Sequence, residues 1–417
     1  MKEKSETTPN PMLEIMVNRQ PIFNKKKDVF AYELMFKSDL PGSIKDIKDG
    51  SGKAGGDDPS LRAIDSLLVN GLKRLSTGKR VVIHFNQQTL LSEFPLMFPS
   101  DLLGIEIRED ADPGNKVTEI VKKMKKAGYL VLVTEHVYNE GEIDLVKMAD
   151  IVGIDFHSRG IQKRESVFDG NSMLPRFLAR GIDNVSDFEL AAEAGYHYFQ
   201  GDFFRKEDMI SCRKIPSYKL NLMRILKEIN KPSIQFDKIE KILQKDMSIT
   251  YKLLRFVNSA FFGLKTTVQS IRHALALLGE TEVRKCLSFI VLSSMGTDKP
   301  LELMRIAITR ARFCENIASE LGFKSDLPNF FLMGMFSMVN AFLDRPMDEI
   351  LADLPLAAPV KIALLGKSNH FRDVLELVKD HEKGNWVHLQ QMAQQLKLKE
   401  KKIIALYLDA VEWGTLL

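Results

Sequence analysis

The chain has 417 residues, 45% of them hydrophobic and 27% charged, with a formal net charge of +4. That length accommodates two or three domains with sizeable cores, and the small charge excess excludes a strongly basic, nucleic-acid-coating protein. No apolar run approaches the roughly 18–20 residues that cross a bilayer, and the polar start "MKEKSETTPNP" lacks a signal-peptide core, so no membrane partner and a cytoplasmic location are expected.

"VNRQPIF" followed within a hairpin's length by "FAYELMFKS" predicts two paired strands. Glu33 is the lone acid of the second. A period of two places it with Val29, Ala31 and Met35, opposite Phe30, Tyr32, Leu34 and Phe36. The Gly- and Asp-rich "SDLPGSIKDIKDGSGKAGGDDPS" predicts an irregular insert, and "SLRAIDSLLVNGLKRL" a helix. "VVIHFN" (81–86), "LLGIEI" (102–107), "YLVLVT" (129–134) and "DIVGIDF" (150–156) are almost continuously apolar, as strands covered on both faces are. "NKVTEIVKKMKKAG" is a helix between them that ends at Gly128. Its Lys122, Lys123, Lys125 and Lys126 read as a solvated face, and no nucleic-acid partner is expected. "FELAAEAG" predicts a helix and "YHYFQGDFF" (196–204) a strand. Strand–helix alternation on this scale predicts a TIM-like (β/α) barrel.

Beyond residue 217 no run reads as a strand. "YKLNLMRILKEIN", "DKIEKILQK", "ITYKLLRFVNSAFFG", "IRHALALLG" and "ETEVRKCLSFIVLSSM" have helical period. Caps are expected at Ser248 and Thr281 and stops at Gly263 and Gly279. The predicted fold class is therefore α/β plus all-α. Cys212, Cys286 and Cys314 are far apart and form no C-x-x-C pair, so idle thiols are expected.

In a (β/α) barrel the functional side chains stand at the C-terminal strand ends. Those ends carry Asn86, Glu106 with Glu109, Thr134 with Glu135, Asp155, Asp183 in "LARGID" and Gln200 in "FQGDFF", and Glu33 belongs with them. Converging carboxylates suit Mg²⁺ or Mn²⁺, and two such ions can activate water for phosphodiester hydrolysis.

These segments, in this order, resemble the EAL domain, the barrel family that hydrolyses cyclic di-GMP, over residues 13–206. "YELMF" stands for the Glu-Ala-Leu of the name, "HFNQQ" for Asn-x-Ser, "IEIRE" for Glu-x-Thr-Glu, "VGIDF" for Lys-Ile-Asp and "FQGDFF" for Gln-Gly-Tyr-Phe. The resemblance implies a two-metal site, but active members carry Asp-Asp-Phe-Gly-Thr-Gly where this chain reads "VTEHVYNEG". Thr134 replaces the metal-bridging Asp, Glu135 the second Asp, Gly153 the Lys, and Asp183 a later Glu. Glu33, Asn86, Glu106, Glu135, Asp155, Asp183 and Gln200 thus read as a vestigial metal or nucleotide site. No catalytic residue and no metal cofactor are expected. Arg108, in place of a Thr, is expected to fill the vacated metal position by pairing with Glu106 or Glu135, the alternative being a phosphate of a bound nucleotide, and no neighbouring side chain is expected to restore the lost Lys charge.

"LLRFVNSAFFG" followed by "VQSIRHALALLG" resembles the HDOD domain, a helical relative of HD phosphohydrolases in bacterial signalling proteins, over residues 215–405. HD enzymes bind metal through an adjacent His-Asp pair, and none of the eight histidines here is followed by Asp. Asn258 and Ser259 read as caps, His273 as a core-edge residue, Phe262 as buried, and "NFFLMGMFSMVNAF" as a core helix. The expected function is a catalytically inactive signalling scaffold that contacts a partner protein, with a link to cyclic di-GMP. The alternative is a weak or nucleotide-sensing cyclic di-GMP phosphodiesterase that uses Mg²⁺ or Mn²⁺.

Overall fold

Eight strands close into a barrel in chain order: β1 (Val17–Asn24), β2 (Val29–Phe36), β3 (Arg80–His84), β4 (Leu103–Ile107), β5 (Leu130–Thr134), β6 (Ile151–Asp155), β7 (Arg176–Arg180) and β8 (Tyr198–Phe199). The computed structural model describes residues 17–36, 72, 74–85, 87–108, 115–134, 143–157, 175–205, 217–259 and 267–415. Strands β2 to β8 run parallel, and β1 is antiparallel to both of its neighbours, β2 and β8. A tight turn makes this reversal. Lys27 takes φ 62, and the Asn24 side chain accepts the N–H groups of Lys26 and Asp28. The Gly- and Asp-rich insert, most of the helix expected before β3, Cys212, Gly263 and Phe262 lie outside the described residues, while Leu72, Arg74 and Leu75 at the end of that expected helix are helical.

Alternation sorts the strand residues into two cores. Ile22, Ala31, Val82, Leu132, Ile151, Leu178 and Tyr198 fill the barrel, while Tyr32, Leu34, Val81, Ile83, Ile105 and Val133 face outward into the larger core. The predicted alternation of β2 fails at its start. A register shift beside Ile22 and Phe23 sends Val29 outward and brings Phe30 onto Tyr198, ring centroids 4.2 Å apart. The long strand expected at 196–204 is only Tyr198–Phe199. Beyond it Gly201, φ +149, crosses so close to the Ile182 backbone that a Cβ would collide with it. Helix α1 (Asn115–Lys126) buries Val117, Val121 and Met124 and exposes Lys122, Lys123 and Lys126, the solvated face expected of it. Helix α2 (Val185–Glu193) precedes β8.

From Ser217 onward the described residues are helical, without a strand. The principal helices are α3 (Ser217–Ile229), α4 (Met247–Val257), α5 (Ile271–Met295), α6 (Leu301–Glu320), α7 (Leu327–Phe336), α8 (His370–Lys383), α9 (Trp386–Gln395) and α10 (Glu400–Thr415). Asp246, not Ser248, caps α4: its carboxylate accepts the Ile249 N–H at 3.1 Å. Ser270 caps α5, and Thr281 lies inside it. Gly279 (φ 67, ψ 172) kinks α5 instead of ending it. In α7 every residue from Phe330 to Phe336 is buried, because a helix apolar all round sits at the centre of its domain.

The outer face of β1 and β2 packs on α6, α8 and α10. Asn18 Nδ2 donates to the His381 and Glu382 carbonyls at 3.1 and 3.0 Å. The Tyr32 hydroxyl donates to Glu302 at 2.7 Å, and the Arg19 guanidinium lies 4.6 Å from the centre of the Tyr32 ring. Glu382 accepts from Arg310 at 2.6 and 2.8 Å and pairs with Arg205, just past β8, at 3.5 Å. Arg74 pairs with Glu412. No described helix is long and apolar enough to cross a membrane.

Candidate functional site

Glu33 sits on the inward face of β2, and Glu106 lies near the C-terminal end of β4, fully buried. Arg108 follows Glu106 by two residues and so returns to the same side. Its Nε donates to Glu106 Oε2 at 2.9 Å, and its Nη2 lies 2.7 Å from that oxygen and 2.9 Å from Glu33 Oε1. From the end of β7, Arg180 Nη2 lies 2.5 Å from Glu106 Oε1 and 3.5 Å from Glu33 Oε2. The Gln200 amide, just past β8, donates to Glu33 Oε2 at 2.6 Å. All four carboxylate oxygens are therefore engaged, and two guanidiniums balance two carboxylates.

The electrostatics follow from this packing. Burial pushes the Glu33 carboxyl up, but Arg180, the Gln200 amide and Arg108 together hold it below the ordinary carboxylate range. Burial also works against the charge on Arg180, and Glu33 with Glu106 reverses it, so the guanidinium is held more firmly protonated than usual.

Against the expectation that no neighbouring side chain supplies a positive charge near Gly153, Arg180 of the neighbouring strand does so. Gly153 makes the room. A Cβ at residue 153 would stand 2.9 Å from Arg180 Nε and 3.6 Å from its Cδ, so a side chain there would require the arginine to shift. The sequence signal for it is the last residue of "RFLAR", three positions before Asp183. The expected pairing of Arg108 with Glu106 is present.

Of the predicted set, Glu33, Glu106 and Gln200 come together. Asp155 pairs in register with Arg180 but is exposed, and its Oδ1 accepts the His157 N–H at 3.0 Å. Asp183 is exposed in the loop after β7. Asn86, Glu109 and Glu135 lie outside the described residues. Among the described residues no group of three or more His, Cys, Asp or Glu side chains is placed to hold a metal ion. Divalent ions would need the oxygens that Arg108 and Arg180 occupy. Among the described residues, guanidiniums stand against the carboxylate oxygens that the two-metal centre implied by the resemblance would use.

In the helical half, Asn258 ties two segments together. Its Oδ1 accepts the Val268 N–H at 2.7 Å, and its Nδ2 donates to the carbonyls of Leu254 and Val268 at 2.9 and 2.8 Å. His273 is exposed, not at the core edge, because it and Arg272 fall on the outer side of α5. Cys286 and Cys314 are buried and free. Burial pushes the Cys314 thiol up to about 12 and raises that of Cys286 as well, so neither is a ready nucleophile.

The HDOD domain family matches residues 215–343. A Vibrio cholerae protein named cyclic di-GMP phosphodiesterase CdgJ is 29% identical over 411 residues, covering 97% of this chain and 93% of that protein. The uncharacterized protein YuxH of Bacillus subtilis is 31% identical over 410 residues, covering 96% and 98%. The crystal structure of the FimX EAL domain from Pseudomonas aeruginosa, bound to cyclic di-GMP, aligns at 15% identity with a TM-score of 0.33, over 46% of this chain and 89% of that one.

Proposed function

The chain belongs to the EAL–HDOD family of two-domain bacterial signalling proteins that includes YuxH, and from that premise we propose that it regulates cyclic di-GMP signalling through contact with another protein, without hydrolysing the dinucleotide. The observation that carries this reading is the engagement of all four oxygens of Glu33 and Glu106 by Arg108, Arg180 and Gln200. Two-metal hydrolysis needs those oxygens as ligands, and divalent ions would have to displace the part-exposed guanidiniums of Arg108 and Arg180 that hold them. Displacing either leaves a buried carboxylate without its compensating charge. Thr134 adds no carboxylate at the end of β5. A role in contact is supported by Met247 and Tyr251, one turn apart on α4 and 83% and 64% exposed.

The test is direct. The full chain is incubated with cyclic di-GMP and Mg²⁺ or Mn²⁺, and formation of linear dinucleotide is followed. No turnover is expected. Turnover that disappears in Glu33→Gln overturns the proposal. One observation favours a second reading, a cyclic di-GMP phosphodiesterase: CdgJ carries that name and is similar over nearly its whole length. The same assay decides between them.

A further inference from the structure

Each of the two arginines sends one nitrogen between the two carboxylates. Arg108 Nη2 lies 2.9 Å from Glu33 Oε1 and 2.7 Å from Glu106 Oε2. Arg180 Nη2 lies 2.5 Å from Glu106 Oε1 and 3.5 Å from Glu33 Oε2. Two positively charged atoms thus stand at two bridging positions, each contacting one oxygen from either acid. We infer that Arg108 and Arg180 are the resident cations of this carboxylate pair, Arg180 being admitted by Gly153, and that the pair becomes a divalent-cation site once the arginines are removed. This deepens the proposed function and rests on it.

Three features carry the inference. The placement is bridging, whereas a casual ion pair would meet one acid only. The stem of Arg180 runs beside Gly153, through space that a Cβ there would crowd. The acids themselves are intact: Glu33 and Glu106 are buried, and Gln200 still orients Glu33. Without the guanidiniums, two buried like charges would face one another, a state relieved by a divalent cation with oxygen preference or by protonation.

The experiment uses the full chain and Mn²⁺ alone as the probe, read by titration calorimetry and by thermal unfolding. The unaltered chain is expected to show no saturable Mn²⁺ heat and no change in melting temperature. The double variant Arg108→Ala/Arg180→Ala is expected to bind Mn²⁺ saturably, to melt higher with it, and to lose both responses when Glu33→Gln is added. Arg108→Met/Arg180→Met keeps both stems and removes only the charges, so it is the companion should the first double variant not fold. It too is expected to gain Mn²⁺ binding. A folded Arg108→Met/Arg180→Met protein without any Mn²⁺ response overturns the inference, as does Mn²⁺ binding by the unaltered chain that Glu33→Gln removes. Mn²⁺ binding by the unaltered chain without turnover sinks this inference alone, while turnover sinks the proposed function.

Discussion

Tyr32 and Glu33 are consecutive on β2 and face opposite ways: the Tyr32 hydroxyl meets Glu302 of the helical half at 2.7 Å, and the Glu33 carboxylate meets Gln200 at 2.6 Å inside the barrel mouth. Alternation along a strand makes this unavoidable. The seam between the two halves and the candidate site therefore share one strand, and a displacement of β2 at the seam is also a displacement of Glu33.

Tyr32→Phe tests the seam. Glu302 is fully buried, and burial raises its carboxyl above the ordinary range despite Arg19 and the Tyr32 hydroxyl. Removing that hydroxyl takes away a donor that water cannot replace. A loss of about 1–3 kcal/mol is expected in urea unfolding of the full chain. A variant as stable as the parent would show the bond to be worth nothing.

The Glu382 cluster tests the same seam from the other side. Glu382 is paired with Arg310 and Arg205, which hold its carboxyl below the usual range against burial. Glu382→Gln strands the buried Arg310 and is expected to cost about 3–5 kcal/mol. The apolar pair Arg310→Met with Glu382→Leu is expected to recover most of that loss, since both charges leave together. Equal damage from the single and double variants would contradict this account.

His381 sets a pH dependence with a definite sign. Its ring is wedged among Tyr407, Phe313 and Trp386, and among the described residues neither nitrogen has a hydrogen-bond partner. Burial lowers its pKa from 6.5 to about 4, with Glu382 pulling weakly the other way. The folded ring refuses a proton that the unfolded ring accepts, so its contribution is complete above about pH 6.5 and is lost as pH falls toward 4. The loss amounts to about 3 kcal/mol. His381→Phe is expected to flatten this part of the stability curve, measured by urea unfolding across that interval. Parallel curves for the two proteins would refute it.

Gly153→Ala tests the gap beside Arg180. The added Cβ would sit 2.9 Å from Nε, and the guanidinium is anchored on Glu106, so it cannot simply swing aside. A cost of about 1–3 kcal/mol is expected. In an Arg180→Ala background the same change should cost far less, a coupling of about 0.5–3 kcal/mol in a double-mutant cycle. Strict additivity would mean that the glycine and the arginine do not share that space.

The barrel was legible because its strands are apolar on both faces, a pattern few other elements produce, and the helical half because its periods run long. Glu33, Glu106 and Gln200 were legible as polar points at strand ends, and so was the pairing of Arg108 with Glu106. Arg180 was not. A basic residue at a strand end carries no metal-ligand signal, and the space beside Gly153 is local while the side chain that fills it arrives from the next strand. The cap of α4 was misplaced because Asp246 and Ser248 are equally good N-cap residues two positions apart, and only the fold chooses between them. The seam lay beyond reach altogether. Nothing near Tyr32 announces Glu302.

The hydrogen bonds of Asn18 span 363 and 364 residues of chain. During synthesis β1 and β2 leave the ribosome first, and β8 can close the barrel once residue 199 is out. The outer face of that closed barrel then waits for α6, α8 and α10, a delay on the order of tens of seconds at ordinary elongation rates. Through that interval Arg19 and Tyr32 lie uncovered beside an apolar surface. The strand that carries Glu33 thus has an outer face whose partners are all made later in the chain.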